Sequence, residues 1–190
     1  QWRVLSDNFK EKRVLPLIDL AYQGFGDGLT EDTEGLRTMM TELPEAMLAV
    51  SCSKNFGVYR DRVGVAIAMS ENQNQKLVAM DNLKSLNRLT FSFPPDHGAA
   101  VVNQILKNEN LKKLWREELE QMRVHMLSLR KNLAQSLASE TNSDRFNFVE
   151  RHRGMFSKLG LTESQVETLR EENGIYMVSD SRINIAGLRH

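Results

Sequence analysis

Lys54 stands in a small polar segment, Ser51-Cys52-Ser53-Lys54-Asn55-Phe56-Gly57, between two apolar runs, Ala46-Met47-Leu48-Ala49-Val50 and Val63-Gly64-Val65-Ala66-Ile67-Ala68-Met69. Most lysines lie on solvated helix faces. One at the mouth of a sheet loses its proton more readily, because desolvation or a neighbouring cation disfavours the charged form. The neutral amine can then form a Schiff base with a carbonyl compound. Arg62 follows in the same segment and can supply that cation or hold a phosphate. The plainer alternative, a surface lysine in a turn beside a structural arginine, is the commoner fate of an arbitrary lysine. The elements around Lys54 have to decide between the two.

Residues 1–12 read as the end of an amphipathic helix, and Val14-Leu15-Pro16-Leu17-Ile18-Asp19-Leu20 as an apolar strand with Pro16 near its start. A Gly-rich loop, Ala21-Tyr22-Gln23-Gly24-Phe25-Gly26-Asp27-Gly28, leads to Thr30, Glu31 and Asp32, which are expected to cap a helix over 31–42. The strand over 46–51 comes next. Strand, helix, strand in this order predicts a crossover in a parallel sheet, and the near-continuous apolar runs suit a sheet covered on both faces. Ligands of such sheets sit at the carboxyl ends of the strands. Asp19, Tyr22, Ser51, Ser53 and Lys54 all fall at or just beyond such ends.

The remainder reads as mostly helical: about 72–90, a break at Pro94-Pro95, Gly98 to about Lys107, and a long helix from Leu111 to about Ser139 that can bridge two domains. Leu111, Leu114, Leu119, Met122, Met126, Leu129, Leu133 and Leu137 form a stripe at helical spacing, read as core packing rather than a Met-rich groove. Short strands are expected at Phe146-Asn147-Phe148-Val149 and Ile175-Tyr176-Met177-Val178. Between them, Thr162-Glu163-Ser164-Gln165 is a capping-box pattern opening a helix to Glu172, with Gly174 at its end. The fold class predicted is α/β: part of a mostly parallel, helix-covered sheet, joined by the long helix to a smaller α+β domain.

Composition narrows the function classes. Lys plus Arg (25) balance Asp plus Glu (25), so no net field points to nucleic acid, and small-molecule chemistry is the better expectation. Cys52 is the one cysteine, which excludes an internal disulfide framework and fits a reducing cytosol. It reads as a small buried residue at a strand end. No apolar run reaches the roughly 18 residues a membrane span needs. No metal is expected, since none of His97, His125, His152 and His190 falls in a ligand pattern, and Asp96-His97 has no serine elbow to make a triad. The chain begins at Gln1 without an initiator methionine or signal-like segment, so its natural N-terminus is expected elsewhere.

Asp19-x-x-Tyr22, Ser51-x-Ser53-Lys54, Arg62 and Ser181-Arg182-Ile183-Asn184 together resemble the aspartate and aromatic amino acid aminotransferases, a class I family of fold-type I enzymes dependent on pyridoxal phosphate. The likeness runs through nearly the whole chain in family order. It includes Leu17-Ile18-Asp19-Leu20-Ala21-Tyr22-Gln23-Gly24-Phe25, Ser53-Lys54-Asn55-Phe56-Gly57, Arg88 before Ser92-x-Pro94-Pro95-x-His97-Gly98, Gly154-Met155-Phe156-Ser157 and Arg182-Ile183-Asn184-Ile185-Ala186-Gly187.

By that resemblance Lys54 is the catalytic residue, bound to the cofactor as a Schiff base and then shuttling the proton of the substrate α-carbon. Asp19 pairs with the pyridinium nitrogen, Tyr22 donates to the phenolate oxygen, and Ser51 and Arg62 hold part of the phosphate, with Ser53 a supporting neighbour. Arg182 binds the substrate α-carboxylate, and Arg88 reaches across a homodimer to a side-chain carboxylate in the other subunit's site. Phe156 flanks the pocket. Outside the resemblance, Asp19 is a loop or cap aspartate, Tyr22 and Phe156 are packing residues, and Arg182 is half of a surface ion pair.

The implied activity is cytoplasmic transamination in amino acid metabolism, from aspartate or an aromatic amino acid to 2-oxoglutarate by a ping-pong route. The resemblance further implies that this is the C-terminal half of a family member. Residues 1–110 would belong to the cofactor-binding large domain and 111–190 to the small domain, without the Gly/Thr-containing turn that cradles the phosphate, the ring-stacking aromatic, the N-terminal arm or the last helix. Two alternatives follow: a catalytically silent half that only folds or dimerises, and a lyase or decarboxylase with the same cofactor. Two carboxylate clamps, Arg88 and Arg182, argue against the second.

Overall fold

The computed structural model describes residues 1–188. The chain divides into two compact units: residues 1–24 with 28–118, and residues 25–27 with those from Leu119 onward. The division falls inside the long helix.

In the first unit, α1 (Trp2–Lys12) ends on Arg13 in the left-handed conformation, the Arg13 N–H returning to the Lys10 carbonyl and the Val14 N–H to that of Phe9. It packs on α2 (Glu34–Glu42) through Trp2, whose indole lies where a side chain at residue 35 would begin, so Gly35 is what lets the two helices approach. The expected cap is absent. Thr30 has helical backbone angles and no capping side-chain bond, and a 3₁₀ turn over Glu31–Thr33 leads into α2. The side chain of Asp32 instead accepts from the Gly24 N–H at 2.8 Å, tying down the Gly-rich loop.

β1 (Leu17–Leu20) and β2 (Ala46–Ser51) pair in parallel, Leu17 opposite Met47 through Leu20 opposite Val50, as the crossover predicts. β3 (Gly64–Met69) pairs with β2 antiparallel. The physical reason is the connection: residues 52–63 form turns rather than a crossover helix, so the chain comes back alongside itself. The strands are ordered β1-β2-β3. Ala46 and Leu48 are buried, while Val65 and Ile67 on β3 are exposed. α3 (Gln73–Thr90) begins at Asn72, whose side chain accepts from the Gln75 N–H, and α4 (His97–Lys107) follows Pro94-Pro95.

The long helix α5 spans Glu109–Thr141. Its predicted stripe is only partly core. Leu119, Met126 and Leu129 are buried, whereas Leu111, Leu114 and Met122 are exposed.

The second unit is centred on Leu129, Ala134, Val149 and Ile185, with Leu133, Phe148, Leu159, Ile183 and Leu188 packed against them. Both strands expected here are absent. Residues 146–149 make a turn into the short helix α6 (Phe148–Arg151), and residues 175–178 carry no regular element. Short apolar runs do not separate strand from helix by period, and burying Val149 and Phe148 side by side needs a helical turn. The observed strands are β4 (Phe156–Lys158) and β5 (Arg182–Asn184), paired antiparallel. The capping box is present: Thr162 and Gln165 bond reciprocally at the start of α7 (Glu163–Asn173), and Gly174 closes it at φ 65°.

Candidate active site

Because β1 and β2 run parallel in register, the loops after Leu20 and Ser51 leave the same edge of the sheet. Tyr22 lies on the first and Lys54 on the second. They meet: the Lys54 Nζ stands 4.7 Å from the centre of the Tyr22 ring. Lys54 is half-buried, and among the described residues no carboxylate pairs with its amine. Asp19 sits one residue before the end of β1, opposite Ala49. Alternation puts Asp19 on the face away from Leu48, so its exposed carboxylate does not enter the apolar side of the strand.

Ser51 closes β2, and its Oγ accepts the Ser53 N–H at 3.2 Å. Arg62 is exposed and in the left-handed region at φ 51°, its Nη1 donating to the Tyr59 carbonyl at 3.0 Å. Such a conformation costs a non-glycine residue about 1–2 kcal/mol and persists where neighbours impose it. Here the neighbour is α4: the His97 Nδ1 lies 2.7 Å from Asp61 Oδ1, and a Cβ on Gly98 would come within 2.6 Å of the Asp61 Cβ. The histidine of the Asp96-His97 pair therefore works with Asp61.

Two further contacts escaped the sequence. Trp115 on α5 donates from Nε1 to the Asn55 carbonyl at 2.6 Å and stacks on Phe56 with ring centres 4.4 Å apart. It grips the residues directly after Lys54. The Asn55 Oδ1 is buried there without a partner among the described residues. A tryptophan sixty positions along the chain from Asn55 leaves no local signal in the sequence.

Cys52 is half-buried, and burial pushes its thiol pKa up. The thiolate is the reactive form, so its fraction at pH 8 falls below that of a free cysteine. Alkylation by iodoacetamide is expected to run several-fold slower than for a free thiol at pH 8 and to accelerate as the pH rises. Equal rates at pH 8 would contradict this.

Arg182 and Phe156 come together in the second unit, the guanidinium carbon 5.6 Å from the ring centre. Arg182 follows Ser181, which is fully buried at φ 64° and anchored on both sides: Leu159 N–H donates to its carbonyl and Gly160 N–H to its Oγ, each at 3.0 Å. Arg88, at the end of α3, donates to Ser92 Oγ at 3.2 Å and lies 6.0 Å from the Phe93 ring centre. Ser92 is itself left-handed at φ 64°. Among the described residues no cluster of three or more potential metal ligands occurs, and His190 lies outside them. No helix among them is long and apolar enough to cross a membrane.

The family model for aminotransferases of class I and II matches residues 1–190. The chain belongs to this aminotransferase family. Among its relatives, the aromatic-amino-acid aminotransferase of Paracoccus denitrificans is 51% identical over 99% of this chain and 48% of its own length. The aspartate aminotransferase of Salmonella typhi is 42% identical over the same shares. A Burkholderia pseudomallei aromatic-amino-acid aminotransferase, solved covalently bound to pyridoxal phosphate, superposes with a TM-score of 0.94 at 35% identity, covering 98% of this chain and 47% of that one. The chain thus spans about half the length of the aminotransferases it matches.

The donor set in the first unit suits that cofactor. An amine for the aldehyde, a phenol beside it, a carboxylate at the adjoining strand end, a hydroxyl and a guanidinium correspond to the groups of a phosphorylated pyridine aldehyde.

Proposed function

We propose that the protein is a pyridoxal-phosphate-dependent aminotransferase that moves an amino group from aspartate or an aromatic amino acid to 2-oxoglutarate in two half-reactions. The observation that carries this reading is the Lys54 amine beside Tyr22, free of carboxylate partners among the described residues, at the carboxyl end of paired parallel strands. The names of the relatives favour it over lyase or decarboxylase chemistry and over a unit that only folds or pairs.

When bound, pyridoxal phosphate supplies a carbonyl carbon for amines and a protonated ring that accepts the electron pair left on the substrate α-carbon. Lys54 Nζ is the group that would hold the cofactor covalently and, once displaced, would take the proton from the substrate α-carbon and deliver it to the carbon that was the cofactor's carbonyl. Asp19 keeps a proton on the ring nitrogen by its negative charge. Tyr22 donates its phenol beside Lys54. Ser51 Oγ and the Arg62 fork hold the phosphate, a geometry a lysine would not reproduce. Arg182 takes the substrate α-carboxylate with Phe156 along its flank. Arg88 takes the side-chain carboxylate of a dicarboxylic substrate in the other subunit of a homodimer.

The same reading makes the three strands part of a larger, mostly parallel sheet covered by helices. Residues 1–110 fall in the cofactor-binding domain and 111–190 in the small domain, linked through α5, and the enzyme works in the cytoplasm.

The test is to load the intact protein with pyridoxal phosphate, reduce with borohydride and weigh the chain, then assay aspartate and phenylalanine with 2-oxoglutarate. Expected are a visible absorbance band, a mass gain of one cofactor and turnover. No gain and no turnover would overturn the reading. Arg88→Ala should lower kcat/KM for aspartate by roughly a hundredfold while phenylalanine changes by less than about fivefold. Equal losses for both would remove Arg88 as the side-chain clamp.

A further inference from the structure

Arg130 on α5 is fully buried, yet among the described residues no carboxylate pairs with it. Its Nη1 donates to the Val149 carbonyl at 3.2 Å and to Ser157 Oγ at 2.6 Å, and its Nη2 to the carbonyls of Gly154 at 2.6 Å and Phe156 at 2.9 Å. Its Nε is buried without a partner among the described residues. Ser157 Oγ in turn lies 3.1 Å from His152 Nδ1. Burial lowers the Arg130 pKa, and the like charge of Arg153 adds to the effect.

A buried cation held only by neutral acceptors is a costly way to fill space, and a leucine or methionine would pack more cheaply. What the guanidinium provides is geometry. Its rigid fork ties Val149 of α6, the turn at Gly154 (φ 79°) and the first two residues of β4 to one point on α5. β4 carries Phe156, against whose ring Arg182 lies. β4 also pairs with the strand that bears Arg182, Lys158 opposite Arg182 and Ser157 opposite Ile183, and the Ile185 N–H donates to the Met155 carbonyl at 2.8 Å.

We propose that Arg130 is a positioning residue for carboxylate recognition: by fixing the backbone of Gly154–Ser157 it sets where Phe156 and the Arg182 guanidinium stand. This rests on Arg182 being the α-carboxylate clamp of an aminotransferase. Charge alone at residue 130 is not enough, because a lysine ammonium lacks the planar fork that reaches four acceptors together.

The experiment compares wild type, Arg130→Lys, Arg130→Met and Ser157→Ala in the intact, cofactor-loaded protein, each also combined with Arg182→Ala. KM for aspartate and for phenylalanine should rise about tenfold in Arg130→Lys and Arg130→Met, and about threefold in Ser157→Ala, with kcat and the absorbance of the bound cofactor changing less. Succinate, an unreactive dicarboxylate, should bind correspondingly more weakly by calorimetry. In the Arg182→Ala background the same changes should add nearly nothing, because the interaction they support is gone. Ser157→Ala removes a single hydroxyl and decides the matter if neither Arg130 variant folds. Unchanged KM and succinate affinity, or equal losses with and without Arg182, would overturn the proposal. A wild type that neither takes up the cofactor nor turns over amino acids would overturn the aminotransferase reading and this inference with it. An active wild type with unmoved variants would overturn this inference alone.

Discussion

Replacing Lys54 with alanine in the intact protein is expected to remove the cofactor mass trapped by borohydride and to lower kcat by about 10⁴-fold or more. Two roles converge on one Nζ in the proposed mechanism: covalent attachment of the cofactor, and proton transfer at the substrate α-carbon. General base catalysis alone accounts for roughly 10²–10⁴-fold, and losing the covalent anchor adds to it. The fold should survive, because Lys54 is half-buried, makes no ion pair among the described residues, and its contact with the Tyr22 ring is worth about 0.5–1 kcal/mol.

Lys54→Arg separates charge from proton transfer. A guanidinium keeps the positive charge over Tyr22 but stays protonated at any working pH, so it offers neither a nucleophile nor a base. It should be as inactive as alanine, with a melting temperature close to wild type. Retention of more than a tenth of wild-type kcat in either variant would move the catalytic role away from Lys54.

The fold was legible where periodicity and capping chemistry were strong. The long helix, the parallel pairing of β1 with β2 and the capping box at Thr162–Gln165 follow from apolar spacing, crossover order and a reciprocal side-chain pattern. The antiparallel return of β3 was not, because residues 52–63 carry no periodic signal that separates a turn-rich loop from a crossover. The runs at 146–149 and 175–178 are four residues each, too short for their period to exclude helix or coil. Among the candidate site residues, Lys54 stood out by its place after a strand end and Tyr22 by the family resemblance, and the structure sets the Lys54 Nζ 4.7 Å from the Tyr22 ring centre. Their supports were not nameable. Trp115 on Asn55, Asp61 with His97, and Arg130 on Gly154–Ser157 are pairings across 60, 36 and 24–27 residues, set by tertiary packing. The left-handed Arg62, Ser92 and Ser181 are likewise invisible to propensity, which assigns such angles to glycine or asparagine. Arg62 is itself a proposed anion-binding residue, Ser181 precedes another and Ser92 accepts a hydrogen bond from the third, whereas the left-handed Arg13 and Asn142 have no such neighbour in the proposal.

Arg182→Ala should lower kcat/KM about a hundredfold or more for aspartate and phenylalanine alike, which sets it apart from Arg88→Ala. Every amino acid substrate carries an α-carboxylate, whereas only a dicarboxylate offers a second one. Removing the guanidinium costs the two-point pairing and leaves the carboxylate of the bound substrate without its partner. Arg182→Lys should recover little, because an ammonium contacts one carboxylate oxygen at a time and lacks the planar fork that the guanidinium, 5.6 Å from the Phe156 ring centre, presents to a carboxylate. Stability should change little in both variants, since Arg182 is exposed and the anchoring bonds of its strand come from Ser181 and the β4 pairing rather than from its side chain. The measurement is kcat/KM for both substrates together with thermal melts. A selective loss for aspartate would give Arg182 the role assigned to Arg88, and a loss below about fivefold for both substrates would leave the α-carboxylate to some other group.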